Sequence, residues 1–215
     1  MRPVSKLELL REHRAELEGC SLCPQMVAPV VAPPAVLGKV FLLGQAPGPH
    51  EGRIGRPFAW TAGKTLFRWF ATLGVDEETF RARIYMAAVC RCFPGKNPKG
   101  GDRVPDSDEI LNCSRWLKRE LELLEPDLVL PVGKLAIQQL LPVKKLADVV
   151  GQQLSLDLHG QTVDVIPLPH PSGASTWHRT SPGVELLQQA LKRIARHPTF
   201  AATVAASASS PASGD

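Results

Sequence analysis

The sequence predicts an α/β fold, a three-layer αβα sandwich with a central, mostly parallel four-stranded sheet. Two observations predict it. Short apolar runs of strand length recur along the chain, and stretches with helical periodicity or helix caps separate them. That alternation is the pattern of helices packed around a mostly parallel sheet. A third observation concerns function. The most unusual loops follow Leu43, Val89 and Leu168, the ends of three of these runs, and ligands in such folds gather at the carboxyl ends of the strands.

Each element has a local reason. Ser5 and Glu8 have capping-box spacing, and Leu7, Leu10 and Leu17 share a face, so a helix is expected over Ser5–Leu17, ended by Gly19 and Pro24. After a Pro-rich connector, Lys39–Gly44 (KVFLLG) reads as a buried strand closed by glycine. Ala62–Leu73 reads as a helix and Ile84–Val89 (IYMAAV) as the second strand. A Gly/Pro/Lys-rich loop leads to Asp106 and Glu109, a second capping pair, for a helix over about 107–124. Asp127–Gly133 (DLVLPVG) is the third strand, with a short helix near Lys134–Leu141. The segment LSLDLHGQTVDVIPL reads as a hairpin leading into the last strand. Ser181 and Pro182 supply an N-cap and first position for a final helix to about His197.

With 215 residues, 44% of them hydrophobic, the chain has the material for a sizeable core. We expect a single domain over 1–197 and a disordered Ala/Ser-rich tail over 198–215. A net charge of +4 permits a polyanionic partner without requiring one. No run of 18 or more apolar residues is present, so no membrane span is expected. The first twenty residues are too charged for a secretory signal, which gives a cytoplasmic, reducing location. The five cysteines, Cys20, Cys23, Cys90, Cys92 and Cys113, are then a metal or cluster site rather than disulfides.

Three features stand out in order. GQAPGPHEGRIGRPFAWTAGKTL follows the first strand, Cys20-x-x-Cys23 is answered much later by Cys92 and Cys113, and HPSGAST follows the last strand. Together they resemble the uracil-DNA glycosylase superfamily, most closely its iron–sulfur family 4 enzymes, over about residues 15–195. The resemblance implies DNA as the partner, a base flipped out of the stack, a monomer, and hydrolysis of the N-glycosidic bond of uracil or a related deaminated base. It places Gln45, Ala46 and Gly48 in the base-binding turn, with Gln45 where family 4 has Glu. Glu51 takes the position of the acid that activates water, and Phe58 that of the aromatic stacked on the flipped base. Carboxylate-assisted attack of water is typically accelerated about 10²–10⁴-fold by its general base. His170 would donate to the negative charge developing on the departing base. No lysine falls where the resemblance marks a nucleophile, which implies a monofunctional enzyme.

The same resemblance makes HPSGASTWHRT a DNA-contacting loop, with Ser172, Ser175 and Arg179 as contacts and Trp177 or Ala174 as the apolar wedge. Lys64, Lys96, Lys99 and Arg103 are further candidates for phosphate contact. Cys20, Cys23, Cys92 and Cys113 match the ligands of a structural [4Fe–4S] cluster, with zinc as the other occupant that four thiolates suit. Cys90 is then a buried free thiol. The family's Asn at the end of the second strand is Ala88 here. Uracil is therefore read by backbone groups and Gln45, or another base is favoured, or activity is weak. The alternative is a non-catalytic DNA-binding member of the superfamily.

Overall fold

The computed structural model describes residues 4–158, 160–173 and 175–205. Helix α1 (Lys6–Glu18) starts at a capping box: the Ser5 hydroxyl accepts the Glu8 N–H at 3.2 Å, and the Glu8 carboxylate accepts the Ser5 N–H at 2.7 Å. Its buried face is Leu10, His13 and Leu17. Strand β1 (Val40–Gly44) is buried at every residue. Two short helices, α2 (Glu51–Ile54) and α4 (Glu77–Arg83), flank α3 (Thr61–Ala71). Neither short helix carries enough turns to show a periodicity, so the sequence does not announce them. Strand β2 (Tyr85–Ala88) follows, then α5 (Ser107–Leu124), which opens on the Asp106–Glu109 capping box. The chain continues through β3 (Leu128–Pro131), α6 (Lys134–Gln138), β4 (Leu154–Leu158), β5 (Gln161–Val165), α7 (Gly183–Arg196) and α8 (Pro198–Ala205).

The sheet order is β2-β1-β3-β5-β4. Four strands are parallel, and β4 pairs antiparallel with β5. The sheet thus has five strands where four were expected. The extra one is the outer arm of the hairpin, whose alternation of half-buried and exposed residues marks an edge covered on one face.

Alternation along the central strands divides the interior. Phe41, Leu43, Tyr85 and Ala87 belong to a core shared with Leu10 of α1, Leu117 of α5 and Ile137 of α6. Val40, Leu42, Met86 and Leu130 face the opposite layer, built from Leu66 and Phe70 of α3, Phe80 of α4, Leu191 of α7 and Phe200 of α8. These are the three layers. Among the described residues no helix is long and apolar enough to cross a membrane.

Two local expectations are corrected. Residues 198–205, assigned to a disordered tail, form α8: Phe200 is buried against Phe70, with ring centroids 5.9 Å apart, and Arg83 donates to the carbonyls of Thr203 and Val204 at the helix end. One aromatic anchor and a cation at the C-terminus outweigh a low-complexity composition. The rest of that tail, 206–215, lies outside the described residues. The final helix also begins at Gly183 rather than Pro182, with no side-chain cap from Ser181. Gly183 abuts the carbonyl of Trp177 so closely that any side chain there would collide with it.

Candidate active site

The first strand-end loop is built around Glu51. The residue opens α2 and is only 7% exposed. One carboxylate oxygen accepts the Gly48 N–H at 2.8 Å, and the other accepts the Ala59 N–H at 2.8 Å. A single side chain therefore ties the GQAPG turn to the GRPFA segment. Burial pushes the Glu51 carboxyl above the ordinary Glu value, against the opposing effect of those N–H groups and of Arg81. Two bonds do not exhaust the acceptor sites of a carboxylate, so a water molecule can still be held.

Phe58 occupies the left-handed region at φ 53°, a costly conformation for a residue with a Cβ. Three neighbours impose it. Arg81 donates to the carbonyls of Pro57 and Phe58, both at 2.9 Å. Gly63 of α3 lies directly against the Phe58 carbonyl, where a Cβ would overlap it. Gly44 leaves room for the ring, since a Cβ there would fall 2.7 Å from Phe58 Cζ. Arg81 is itself fixed by Glu77 at 2.7 Å and by the face of Phe67, 4.6 Å away. Sequence reasoning did not find Arg81: nothing local links it to a loop more than twenty positions earlier.

His170 enters from the last strand-end loop. A bridge between Val132 and Leu168 extends the β3–β5 pairing, and Gly133 (φ 89°) takes the ring against its backbone, where a Cβ would sit 2.9 Å from His170 Cδ2. The Ser172 N–H donates to His170 Nδ1 at 3.2 Å. That bond requires a lone pair on Nδ1 and so puts the proton of the neutral ring on Nε2. Burial first, then the neighbouring His178, pushes the His170 pKa below the usual value. The site thus holds a neutral imidazole with one N–H to donate.

A cavity of about 480 Å³ lies at the carboxyl ends of β1, β2 and β5. Gln45, Ala46, Gly48, Phe58 and Ala88 line it, together with Glu51, His170 and Ser172. Three expected contact residues do not. Ser175 turns back on the loop, its N–H bonded to the Ser172 carbonyl at 3.1 Å. Arg179 borders a separate shallow cleft with Arg68, Trp69 and His178. Trp177 packs beside Gly183 at the foot of α7 rather than at the cavity. Ala174 lies outside the described residues. The loop after β2 folds over the cavity as a small hairpin: Lys96 and Asp102 bridge, their side chains pair at 2.6 Å, and both line the mouth. Arg103 lines it as well, but its guanidinium is engaged by Glu109 at 2.6 and 2.8 Å. Asp102 and Trp60 are lining residues that sequence reasoning did not single out.

The cysteines come from three segments: the loop after α1, the loop after β2, and α5. Cys90 and Cys113 are buried, whereas Cys20, Cys23 and Cys92 are half-buried. The neighbouring Cys90 thiol first, then the Arg91 backbone and guanidinium charge and the Cys23 thiol, hold the Cys113 pKa below the ordinary Cys value despite burial. Burial and the nearby charges of Cys113, Cys20 and Cys23 push Cys92 up to about 11. Among the described residues no three Cys, His, Asp or Glu side chains are arranged around one metal ion. The donor set nevertheless has the chemistry of a thiolate-ligated group: several soft donors, near enough to feel one another's charge. Between Cys90 and Cys92, Arg91 is 1% exposed and forks onto Glu120 at 2.6 and 2.8 Å, and Tyr85 donates to the same carboxylate at 2.9 Å.

A parallel sheet whose strand-end loops enclose a cavity with one buried carboxylate, one neutral imidazole and one aromatic wall defines an α/β enzyme of base-sized ligands. The chain belongs to the Uracil DNA glycosylase superfamily, whose sequence model matches residues 34–195. It is 26% identical over 177 residues to a Type-4 uracil-DNA glycosylase of Saccharolobus solfataricus, covering 80% of this chain and 78% of that one. It is 30% identical over 139 residues to a Type-4 uracil-DNA glycosylase of Archaeoglobus fulgidus (62% of this chain, 65% of that one). A Type-5 uracil-DNA glycosylase of Pyrobaculum aerophilum is 29% identical over 175 residues (73% and 71%).

Proposed function

We propose that the protein removes uracil, or a related deaminated base, from DNA by monofunctional hydrolysis. The observation that carries this reading is that Glu51, His170 and Phe58 line one cavity at the strand ends. A base must leave the stack to be reached there. Phe58 offers it a flat wall and the 45–48 turn offers backbone groups. Glu51 holds and deprotonates the attacking water as the C1′–N bond breaks. The Nε2–H of His170 donates to the charge that develops on the departing base. Lys96 is the one lysine lining the cavity among the described residues, and its ammonium is engaged by the Asp102 carboxylate rather than free at the site.

Cys20, Cys23, Cys92 and Cys113 are the residues that would hold a [4Fe–4S] cluster, tying the segment after α1 to the DNA-facing loop after β2. The cluster's contribution is structural, and no step of base release passes through it. Iron and sulfide analysis of the purified protein distinguishes it from zinc.

A second reading, a DNA-binding member with little or no activity, is favoured by one observation: Ala88 presents only a methyl group at the end of β2. A glycosylase assay with uracil, hypoxanthine and xanthine in single- and double-stranded DNA decides between the two. The first reading expects alkali-labile abasic sites with at least one base, reduced about 10²–10⁴-fold by Glu51→Gln and about 10²–10³-fold by His170→Ala. DNA binding with no product from any base supports the second.

A further inference from the structure

We propose that Trp60 is a stacking platform for a nucleobase adjacent to the one extruded into the cavity. This rests on the reading of the site as a DNA glycosylase and goes beyond it by naming a second base contact.

Trp60 breaks two local rules at once. It is 41% exposed, although an indole is among the most favourable groups to bury. It also occupies the N-cap of α3 with no side-chain cap bond, a position where Ser, Thr, Asp or Asn would stabilise the helix. Local rules broken together mark a functional position more often than an accident. Its place fits: Trp60 lines the cavity mouth two residues beyond Phe58, which is buried in the wall. The two aromatics serve different sides of one short segment, one inward and one at the rim.

The platform is rigid. The Ala59 N–H is held by Glu51 and the Phe58 carbonyl by Arg81, so the segment is pinned immediately before the indole. The His50 ring packs against it at 4.4 Å between centroids, tilted by 44°. A preorganised aromatic loses little freedom on binding. Lys64 stands one turn along α3 with Nζ 5.7 Å from the indole centroid, placing a cation beside the aromatic as single-strand binding surfaces do. A strand whose nucleotide lies in the cavity must carry its neighbours across the mouth, where Trp60 stands. Trp177, the other tryptophan weighed for contact with DNA, is packed beside Gly183 instead.

The test is a double-mutant cycle between protein and DNA, using short single strands with uracil or a stable abasic analogue at the centre. The flanking bases are either present or replaced by base-free spacers. Trp60→Ala should raise KM and the Kd for the analogue strand about 5- to 100-fold and leave kcat unchanged, while Trp60→Phe retains most of the affinity. Spacers should weaken the wild type to a similar extent yet barely affect Trp60→Ala. Spacer losses that are equal in the wild type and in Trp60→Ala would overturn the proposal. The binding arm keeps the two readings apart: if no strand loses its base, the glycosylase reading fails, while the analogue cycle still decides whether Trp60 stacks.

Discussion

Arg81 donates to the carbonyl of Phe58 at 2.9 Å while Phe58 sits at φ 53°. The aromatic wall of the cavity is thus held in an unfavourable backbone conformation by a side chain of α4. Removing the guanidinium leaves the two carbonyls of residues 57 and 58 without their donor and lets Phe58 relax. Arg81→Met should lower kcat/KM about 10- to 100-fold, because wall geometry feeds directly into positioning. The fold should survive, since the core behind α4 rests on Phe80. Steady-state kinetics with a thermal melt checks this; loss of Tm without loss of activity would assign Arg81 to stability alone.

Glu51 makes a pH prediction with two signs. Burial holds its pKa above the ordinary 4.5. The carboxylate is the active form, so kcat should fall on the acid side through a pKa higher than that of a free Glu. Stability runs the other way. The folded state binds this proton more tightly than the unfolded chain, so the proton-linked stabilisation is complete below 4.5 and is lost as pH rises through the folded pKa. Glu51→Gln does not titrate. The Tm difference, wild type minus variant, should therefore decrease with rising pH across that window.

Ala88 lines the cavity at the end of β2 and offers a base edge no hydrogen bond from its side chain. A buried polar contact that is missing costs roughly 1–3 kcal/mol. Ala88→Asn restores an amide at the end of β2, in the lining of the cavity. It should raise kcat/KM for uracil about 5- to 100-fold and sharpen discrimination against purine bases. Competition assays with mixed-base oligonucleotides measure it.

Arg91 and Glu120 form a fully buried ion pair beneath the cysteine segments. Burial works against both charges, and each is kept by the partner's field together with hydrogen bonds, which for Glu120 come from His13, Arg91 and Tyr85. Arg91→Met leaves the buried Glu120 carboxylate without its guanidinium, with only the Tyr85 hydroxyl and the His13 ring beside it, and should cost about 3–5 kcal/mol. Adding Glu120→Leu should return part of that loss. Chemical denaturation of both variants gives the comparison.

What was legible in the sequence was local. The Ser5–Glu8 and Asp106–Glu109 caps, the glycine-ended strand at 39–44 and the order of the strand-end loops depend on neighbours a few residues apart, and the structure contains them. Features set by distant packing were not legible. The hairpin was read, though not that its outer arm β4 makes a fifth strand of the sheet, and α8 exists because Phe200 finds Phe70 across the chain. Cavity residues read from strand-end motifs are brought together, as Gln45, Glu51 and Phe58 are. In the loop after β5, Trp177 packs at the foot of α7 and Arg179 borders α3, an arrangement that the HPSGAST motif does not signal. Arg81 gave no signal because its partners are backbone carbonyls, which any sequence supplies.

The proposed chemistry is hydrolytic base release with Glu51 as base and no lysine nucleophile. It is tested most directly by incubating the protein with uracil-containing single-stranded DNA in ¹⁸O-labelled water, with borohydride present in a parallel reaction. Hydrolysis by this route gives free uracil, ¹⁸O at C1′ of the abasic sugar, no protein–DNA adduct in the borohydride reaction, and almost no product from Glu51→Gln. Base release that survives unchanged in Glu51→Gln, or a borohydride-trapped adduct on Lys96, would contradict it.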